Sequence, residues 1–515
     1  MLVNAPMGGT TSDRSAMPNA FAQLVFFSWP LVAVLLFATQ PPARALAGAV
    51  VVGYLLLPER VVVDFPMIPA INKVLMINLT AAAVVALALR RERQIAGPAA
   101  AASPPAGRTR WIFAVLIALT LATPFLTVLT NGEPVIAGPR YISGLSLYDS
   151  VSLMMSAGIA IVPFVLAMRV LGTPEAQTEL LRVLVLAACA YAVLVLFEVR
   201  MSPQLSSWIY GFFPHSWLQH IRGGGFRPVV FLGHGLVLGI FLCMAVLGAC
   251  ALWRQALRDR VQAAPWLVAT LWLALTLVLS RNLGATALML LFAPMILFTP
   301  PRLQVLVAAA FATAVLTYPM LRGTGLVPTE TIHSLARSVS EQRAQSLQFR
   351  FDHEDALLAR ANEKPLSGWG SWGRNRIYDP VTGRDLSITD GLWVMTIGSY
   401  GWFGYLAQFG MLTMPIMLLA LRRRVDIVPT TAGLMLMATA ALIDLIPNAA
   451  LSPITWLIAG ALGAAAVKSP LASHHGPSST YSEDNISSVS YVGRPIPDQH
   501  RAETFKTLHH RRRRL

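Results

Sequence analysis

Apolar runs of about 20 residues recur from Phe21 to Val467, and they constrain the fold more than any other feature of this chain. A helix of that length crosses a hydrocarbon core of about 30 Å. The runs are rich in Leu and Ala, which favour helices, and they lack the alternation of period two that marks membrane strands. The sequence therefore predicts an all-α fold, a polytopic bundle of transmembrane helices.

The composition agrees with a membrane environment. Only 13% of the 515 residues are charged and 55% are hydrophobic, whereas a soluble domain carries about 25% charged residues. We predict about 12 or 13 spans, because the second run is short and is either a tilted span or a re-entrant segment. The spans are predicted at 21–38, 44–57, 69–89, 111–130, 148–168, 180–199, 228–253, 265–280, 283–299, 303–321, 402–421, 429–446 and 453–467.

Arginines in short loops predict the orientation. They cluster at 90–110, 254–260 and 422–424, and short loops rich in Arg and Lys stay in the cytoplasm. All three clusters fall on one side if the spans between them alternate. The loop 200–227 and the large loop 322–401 are then predicted to face outward, in the periplasm of a bacterial inner membrane. The short second span leaves the orientation of the N-terminus open.

The formal net charge of +15 does not indicate nucleic acid, because much of the excess lies in short loops and in the C-terminal tail. That placement indicates membrane lipids, with anionic headgroups, as the partner. The tail lacks apolar periodicity and is predicted to be disordered and cytoplasmic. The predicted organisation is an N-terminal extension at 1–20 without a cleaved signal peptide, helices at 21–321, the outer loop at 322–401, helices at 402–467 and the tail at 468–515.

The outer loop is predicted to contain folded elements. Ser338-Val-Ser-Glu341 fits a capping box, and a helix is expected from there to Ala361, before Pro365 ends it. A tight glycine and aromatic turn follows at 368–373. The apolar stretch 388–401 is too short to span, so we predict that it dips into the outer leaflet or caps a cavity.

Basic side chains near the outer face are the candidates for substrate binding. A guanidinium presents a planar fork that matches phosphate oxygens, so several arginines around one outer cavity would hold a diphosphate and stabilise it as a leaving group. The alternative for each arginine is snorkelling at a helix end, and the alternative for the histidine is packing at an interface. The candidates are Arg222, Arg227, His234, Arg281 and Arg350.

Two carboxylates are the candidates for catalysis. Asp390 enters an apolar segment without a sequence-adjacent base, where a carboxyl has a raised pKa, so it is predicted as a general base unless it only caps the following helix. Glu354 lies four residues after Arg350, on the same helix face, where the two could also form a plain intrahelical ion pair. The run Asp352-His353-Glu354-Asp355 contains metal-ligand types, but consecutive helical residues point in different directions. No metal and no cofactor is predicted.

Four short motifs lie at predicted outer ends of spans or in the outer loop. They are Arg222-Gly-Gly-Gly-Phe-Arg-Pro followed by His234-Gly235; Ser280-Arg281; Arg350 with an acidic pair and then Pro365-Leu-Ser-Gly-Trp-Gly370; and Asp390-Gly-Leu-Trp with Gly398 and Gly401-Trp-Phe-Gly404.

In this order the motifs resemble the superfamily of O-antigen ligases and of O-antigen or exopolysaccharide polymerases. The resemblance covers roughly 200–425 and implies a C-type glycosyltransferase that uses a glycan on undecaprenyl diphosphate, at the periplasmic face, without metal. In that family an acceptor hydroxyl attacks the anomeric carbon. Arginines matched here by Arg227, Arg281 and Arg350 are expected to hold the diphosphate. O-antigen ligases carry a histidine where this chain has Asp390, so the polymerase branch is the better match.

The sequence therefore predicts a polysaccharide polymerase that joins lipid-linked repeat units, with Asp390 or Glu354 as the base. Contacts with other polysaccharide assembly and export proteins are also expected. Three alternatives stay open: an O-antigen ligase-like transferase, a transporter or flippase of the same envelope pathway, and a non-catalytic scaffold. A transporter would be expected to show internal repeats and broken helices near mid-membrane, and no convincing internal repeat is visible in the sequence.

Overall fold

The computed structural model of the protein describes residues 17–65, 68–96, 108–214, 217–222, 224–339, 341–422 and 427–467. These residues are mostly helical, which confirms the predicted all-α polytopic bundle. The predicted tail and most of the predicted N-terminal extension lie outside the described residues.

Thirteen predicted spans have counterparts in the described chain. Eight helical segments are long and apolar enough to cross a membrane, and five shorter apolar helices accompany them. The short second span is a 15-residue helix whose side chains are mostly buried. The first half of the bundle consists of α1 (Ala20–Thr39), α2 (Pro42–Leu56), α3 (Lys73–Ala96), α4 (Arg108–Leu129), α5 (Leu147–Ala160), α6 (Val162–Val170), α7 (Pro174–Met201) and the short α8 (Leu205–Tyr210).

The second half contains the outer loop between two sets of spans. A 3-10 turn at Trp217–His220 precedes it. Its helices are α9 (Gly235–Arg258), α10 (Ala264–Leu279), α11 (Leu283–Phe298), α12 (Pro301–Gly323), α13 (Thr329–Val339), α14 (Glu341–Asn362), α15 (Leu392–Ala420), α16 (Pro429–Asp444) and α17 (Pro453–Val467).

Three antiparallel hairpins of two strands each lie in loops between helices. They are too short to change the fold class. The strands are β1 (Val63–Phe65) with β2 (Ile68–Ile71), β3 (Val135–Ala137) with β4 (Arg140–Ile142), and β5 (Ile221–Arg222) with β6 (Gly225–Phe226).

Helix α9 lies at the centre of the bundle and is almost completely buried. It packs against α7, α10, α11 and α16. A Cβ atom on Gly433 of α16 would lie 2.4 Å from the Cβ atom of Ala251 on α9, so the two backbones meet closely at this point. Close approach at small residues is the usual way in which membrane helices pack, because lipid gives no hydrophobic drive between them.

Contacts between loops place both predicted outer loops at one end of the bundle. The backbone N–H of Asn19 donates to Tyr210 in the first loop. Lys364, in the large loop, donates to the carbonyl of Thr130 after α4. At the other end, Arg254 donates to the carbonyl of Ile296, at the end of α11. The start of α1 therefore lies at the end of the bundle that carries the loop 200–227.

One prediction for the outer loop needs correction. Ser338 lies inside α13 and Glu341 pairs with Arg337, so no capping box starts the long helix, although that helix ends close to the predicted residue. The apolar stretch up to residue 401 is distinct from the following span, because α15 consists of two helical parts that meet at Gly401. The helix is broken at Gly401, where φ is 63° and ψ is −166°, so the predicted boundary corresponds to a kink.

Candidate active site

Glu354 lies on the buried stripe of α14. The other buried members of this stripe are apolar, and Phe351 and Leu358 lie one turn before and after it. Helical residues three and four apart share a face, so the carboxyl is carried into the interface that α14 forms with α15. Only 7% of Glu354 is exposed. A charged residue at an apolar position of an amphipathic helix is therefore the local signal for this site.

The environment of Glu354 favours its protonated form. Burial raises the pKa of the Glu354 carboxyl to about 7, and the charge of Arg322 opposes this rise. The indole of Trp393 also opposes it, from the start of α15. Glu354 Oε2 and Trp393 Nε1 are both buried and complete no hydrogen bond within the described residues. A carboxyl with a pKa near neutrality and an unsatisfied oxygen is suited to accepting a proton from a substrate.

Asp390 has a long-range partner. Its Oδ2 lies 3.3 Å from Nε of Arg350, and both side chains are a little over one third exposed. The sequence offers no adjacent base for Asp390, but the fold supplies Arg350 as its partner. The helix-cap alternative is wrong, because Gly391 is the N-cap residue of α15 and provides no side-chain cap. The plain intrahelical pair predicted as an alternative for Glu354 is likewise replaced, since Arg350 reaches Asp390 instead.

The turn that carries Asp390 is fixed by backbone contacts to the end of α16. Leu392 N–H donates to the carbonyl oxygens of Leu445 and Asn448, at 3.1 and 3.2 Å. A Cβ atom on Gly391 would lie 2.3 Å from the carbonyl oxygen of Ile446. Only glycine permits this approach. The Asp390-Gly-Leu-Trp motif therefore holds an acidic residue in place between α14 and α16.

Arg322 is a component that sequence reasoning missed. It lies in the last turn of α12 and is 9% exposed. Its guanidinium lies 2.8 Å from the Asp355 carboxylate and 5.0 Å from the centre of the Phe351 ring. An arginine at the outer end of a predicted span gives no specific signal in sequence, because snorkelling at the lipid interface is the ordinary role of such a residue.

The first motif loop is held by buried side chains from other helices. Glu198 Oε2 accepts hydrogen bonds from the backbone N–H groups of Val229 and Val230, both at 2.8 Å. The Tyr191 hydroxyl accepts one from Phe231 N–H at 3.0 Å. Val230 has a φ of 55°, which is unusual for a branched residue. Several fixed hydrogen bonds thus keep this strained loop in one conformation.

A buried ion pair supports the same loop from the other side. Lys73 Nζ donates to Glu59 Oε1 at 2.9 Å and to the carbonyl oxygen of Phe231 at 3.1 Å. Lys73 is 1% exposed. Charged residues at membrane depth are costly and default to functional hypotheses, and that rule could have identified Glu198 and Lys73 from sequence.

The loop brings the first two motifs together. A Cβ atom on Gly225 would lie 2.6 Å from Cζ of Arg281, so the guanidinium lies directly on this glycine. Arg281 itself has a φ of 59°, between α10 and α11. The aliphatic part of Arg227 packs on Gly235, whose Cβ would lie 2.5 Å from Cδ of Arg227. Two predicted diphosphate ligands are therefore placed by neighbouring glycines.

The structure describes the side chain of His234 but only the backbone of Arg222. His234 is the N-cap residue of α9, where Nδ1 accepts from Leu236 N–H at 3.0 Å, and its ring lies 5.2 Å from that of His220. The hydrogen bond leaves Nε2 as the protonated nitrogen in the neutral ring. Arg222 is in β5, paired with Gly225, and its side chain lies outside the described structure.

The third and fourth motifs bind each other through the backbone. Trp369 and Gly370 N–H groups donate to the carbonyls of Gly398 and Ser399, at 2.8 and 2.9 Å. In return Trp402 N–H donates to the carbonyl of Pro365 at 2.8 Å. The break at Gly401 frees these groups from the helix, and the loop satisfies them. A helix broken at its outer part is thereby locked to the loop that follows α14.

The predicted residues thus form two groups at the same end of the bundle. Arg227, His234 and Arg281 gather around the first loop, whereas Arg350, Glu354 and Asp390 gather between α14 and α15. Packing of α16 against α9 and α12 connects the helices that carry the two groups. A single cavity lined by both groups stays a prediction. Among the described residues, no group of three or more His, Cys, Asp or Glu side chains is arranged to hold a metal ion.

Comparison with known proteins gives no match to a protein-family model, to a curated protein or to a solved structure. Function is therefore inferred from the four motifs and from the contacts of their residues.

Proposed function

We propose that this chain is an inner-membrane polysaccharide polymerase, which joins repeat units carried on undecaprenyl diphosphate at the periplasmic face. What supports the proposal most is the buried carboxyl of Glu354, one helical turn from an arginine that is anchored by Asp390. This combination provides a proton acceptor beside a cation for a leaving diphosphate. The four motifs that resemble the polymerase superfamily also contribute these groups.

The proposed reaction is a metal-independent glycosyl transfer. Glu354 removes the proton of an acceptor hydroxyl while the hydroxyl oxygen attacks the anomeric carbon of the donor sugar. The bond from that carbon to the diphosphate oxygen breaks, and the oxygen leaves with the electron pair. Arg350, Arg281 and Arg227 offset the charge that develops on the diphosphate.

In this proposal Asp390 is a positioning residue rather than the base. Its carboxylate already accepts from Arg350, and it holds that guanidinium at the edge of the Glu354 site. Glu354 is the better base, because a proton acceptor works best when its pKa lies near the operating pH, and burial brings the pKa of Glu354 to about 7.

The test is a glycan profile of the host strain that carries Glu354→Gln in place of the native chain, with protein levels measured. Glu363→Gln is the matched control, because it changes an exposed carboxyl in the turn directly after the same helix. We expect Glu354→Gln to abolish long polymer and to accumulate single lipid-linked repeat units, while the control keeps the native profile.

The other outcomes separate the alternatives. Long lipid-linked polymer that never reaches an acceptor would identify an O-antigen ligase-like transferase. An unchanged profile with Glu354→Gln present at native levels would remove the catalytic assignment, and a transporter or a scaffold of the same pathway would then explain the chain.

A further inference from the structure

A cavity lies beside the proposed active site and contributes nothing to the mechanism above. It occupies about 270 Å³ between the end of α12 and the two helices α13 and α14. The lining residues on α13 lie within about one helical turn of each other, and those on α14 lie along a single face of that helix. The lining residues are Arg322, Thr329, Glu330, His333, Gln348, Phe351 and Asp355.

The size of the cavity limits its ligand. Pockets for drug-sized molecules have volumes of about 300–1,000 Å³, so this cavity is suited to a smaller molecule, such as one sugar ring. Its position limits the ligand further. Asp355 lines the cavity, whereas Glu354, the preceding residue on α14, does not line it and is buried in the interface with α15. The charge of Arg322 acts on the Glu354 carboxyl, so a molecule bound here lies near the proposed base without contacting it.

The chemistry of the lining selects hydroxyl groups. The Thr329 hydroxyl, the Gln348 amide and the His333 ring can each donate and accept hydrogen bonds. Sugar hydroxyls do both, so they match this mixture better than a group that only accepts. Two carboxylates, those of Glu330 and Asp355, face one guanidinium. An anionic ligand is disfavoured by that balance.

Arg322 and Phe351 are the most buried residues of the lining. The Arg322 guanidinium is held by the Asp355 carboxylate and by the carbonyl oxygen of Phe351. Its Nε atom is buried away from the cavity and has no hydrogen-bond partner within the described residues. Arg322 is therefore a fixed, charged part of the cavity wall, and the hydroxyl-binding groups are those of Thr329, His333 and Gln348.

We propose that this cavity binds a neutral pyranose ring of the acceptor glycan, and that it holds the acceptor near the site of Glu354. The proposal rests on the proposed function, since an acceptor is required only by glycosyl transfer. Phe351 provides the apolar wall for the C–H face of the ring, while Gln348 and His333 select its hydroxyls. The cavity would then be the element that determines which sugar is extended.

The experiment measures binding without catalysis. Full-length protein in nanodiscs is titrated with the methyl pyranosides of glucose, galactose and mannose, with methyl glucuronide and with inorganic diphosphate, using saturation-transfer NMR. The variants are His333→Ala and Gln348→Ala, which line the cavity, and Ser334→Ala, which is exposed beside it and is the matched control. Glu354→Gln is included because it should retain binding.

We expect at least one neutral pyranoside to bind, with affinity lowered about tenfold by His333→Ala and by Gln348→Ala. Ser334→Ala and Glu354→Gln should bind as the native protein does. The inference is overturned if no neutral pyranoside binds, if binding ignores both cavity variants, or if glucuronide or diphosphate binds at this cavity instead.

The glycan profile distinguishes a failure of the cavity inference from a failure of the polymerase proposal. Pyranoside binding that depends on His333 and Gln348, together with native polymer in Glu354→Gln cells, would remove the polymerase proposal and leave a saccharide site. Loss of polymer in those cells without any pyranoside binding would remove the cavity inference alone.

Discussion

Nε of Arg350 lies 3.3 Å from Oδ2 of Asp390, and this ion pair joins the middle of α14 to the turn before α15. The two residues come from different motifs and are brought together only by the fold. Glu354 is one turn further along α14, so the pair fixes the guanidinium of Arg350 relative to the proposed base.

The ion pair should matter more for activity than for stability. Both side chains are over one third exposed, and such pairs contribute about 1 kcal/mol or less. We expect Arg350→Gln and Asp390→Asn each to lower the unfolding temperature only slightly and to abolish long polymer. Thermal unfolding in detergent and the glycan profile check this, with Arg337→Gln as the control from an exposed pair on the same loop. A large loss of stability in Asp390→Asn would show that the pair is structural.

The pH dependence of transfer should report Glu354. Since the folded pKa is about 7, the carboxyl is protonated below that value and accepts a proton only above it. We expect the rate of repeat-unit transfer by purified protein to rise as pH increases through about 7 and then to level off. The curve measured for the control Glu363→Gln should keep both this midpoint and its height. A rate that is flat from pH 5 to pH 9 would contradict the assignment.

Stability should change with pH in the opposite sense. The pKa of Glu354 is raised on folding to about 7, so the native state holds a proton that the unfolded chain releases. Burial of Glu354 therefore costs no free energy of unfolding below about pH 4.5, where the carboxyl is protonated in both states. The free energy of unfolding then falls as pH rises to about 7, by roughly 3 kcal/mol in total. Chemical unfolding of the native protein and of Glu354→Gln, compared across this range, isolates the effect. The variant should lack this part of the slope.

Gly401 should tolerate no side chain. A Cβ atom there would lie 2.3 Å from the carbonyl carbon and oxygen of Leu366, and its φ and ψ belong to a region that is essentially restricted to glycine. We expect Gly401→Ala to destabilise the protein by about 3 kcal/mol or more, or to prevent its accumulation. Gly284→Ala is the control, because nothing lies within 4 Å of its Cβ position. Equal stability of the two variants would contradict the described break in α15.

Glu198 should be required for the order of the first motif loop. Glu198→Ala removes the acceptor for the N–H groups of Val229 and Val230 and for that of Leu205. Leaving these groups unsatisfied should cost about 3 kcal/mol or more. Hydrogen exchange of the amides at 229–231 should accelerate strongly, whereas Glu175→Ala, at the exposed start of the same helix, should leave their exchange unchanged. Slow exchange in Glu198→Ala would show that the loop is held by other contacts.

Arg281→Gly separates function from backbone strain. Arg281 has a φ of 59°, which glycine adopts without cost, so the variant should fold at least as well as the native chain. Binding of undecaprenyl diphosphate should nevertheless fall about tenfold or more, because a charged contact is lost. Arg260→Gly is the matched control, since its φ is 55° and it lies at the opposite end of the bundle. Equal diphosphate binding by both variants would remove Arg281 from the site.

Much of the candidate site could be named from sequence, but its internal partners could not. The motif order identified Arg281, Arg350, Glu354 and Asp390. Sequence reasoning found no adjacent base for Asp390, because the arginine that pairs with it lies forty positions earlier, on α14. Arg322 was not among the predicted residues, because its partner Asp355 also lies on a different helix. Contacts between distant segments have no local signature in a single sequence.

The sequence by itself determined the helical bundle and the approximate position of each span. These features follow from local physics, since the length of an apolar run, the conformational preferences of glycine and proline, and the cost of burying charge act within a few residues. Tertiary structure alone decided which carboxyl of α14 is buried, which arginine is held by Asp390, and where a cavity remains. Those properties depend on burial and on distances between helices, and packing of the whole bundle fixes both.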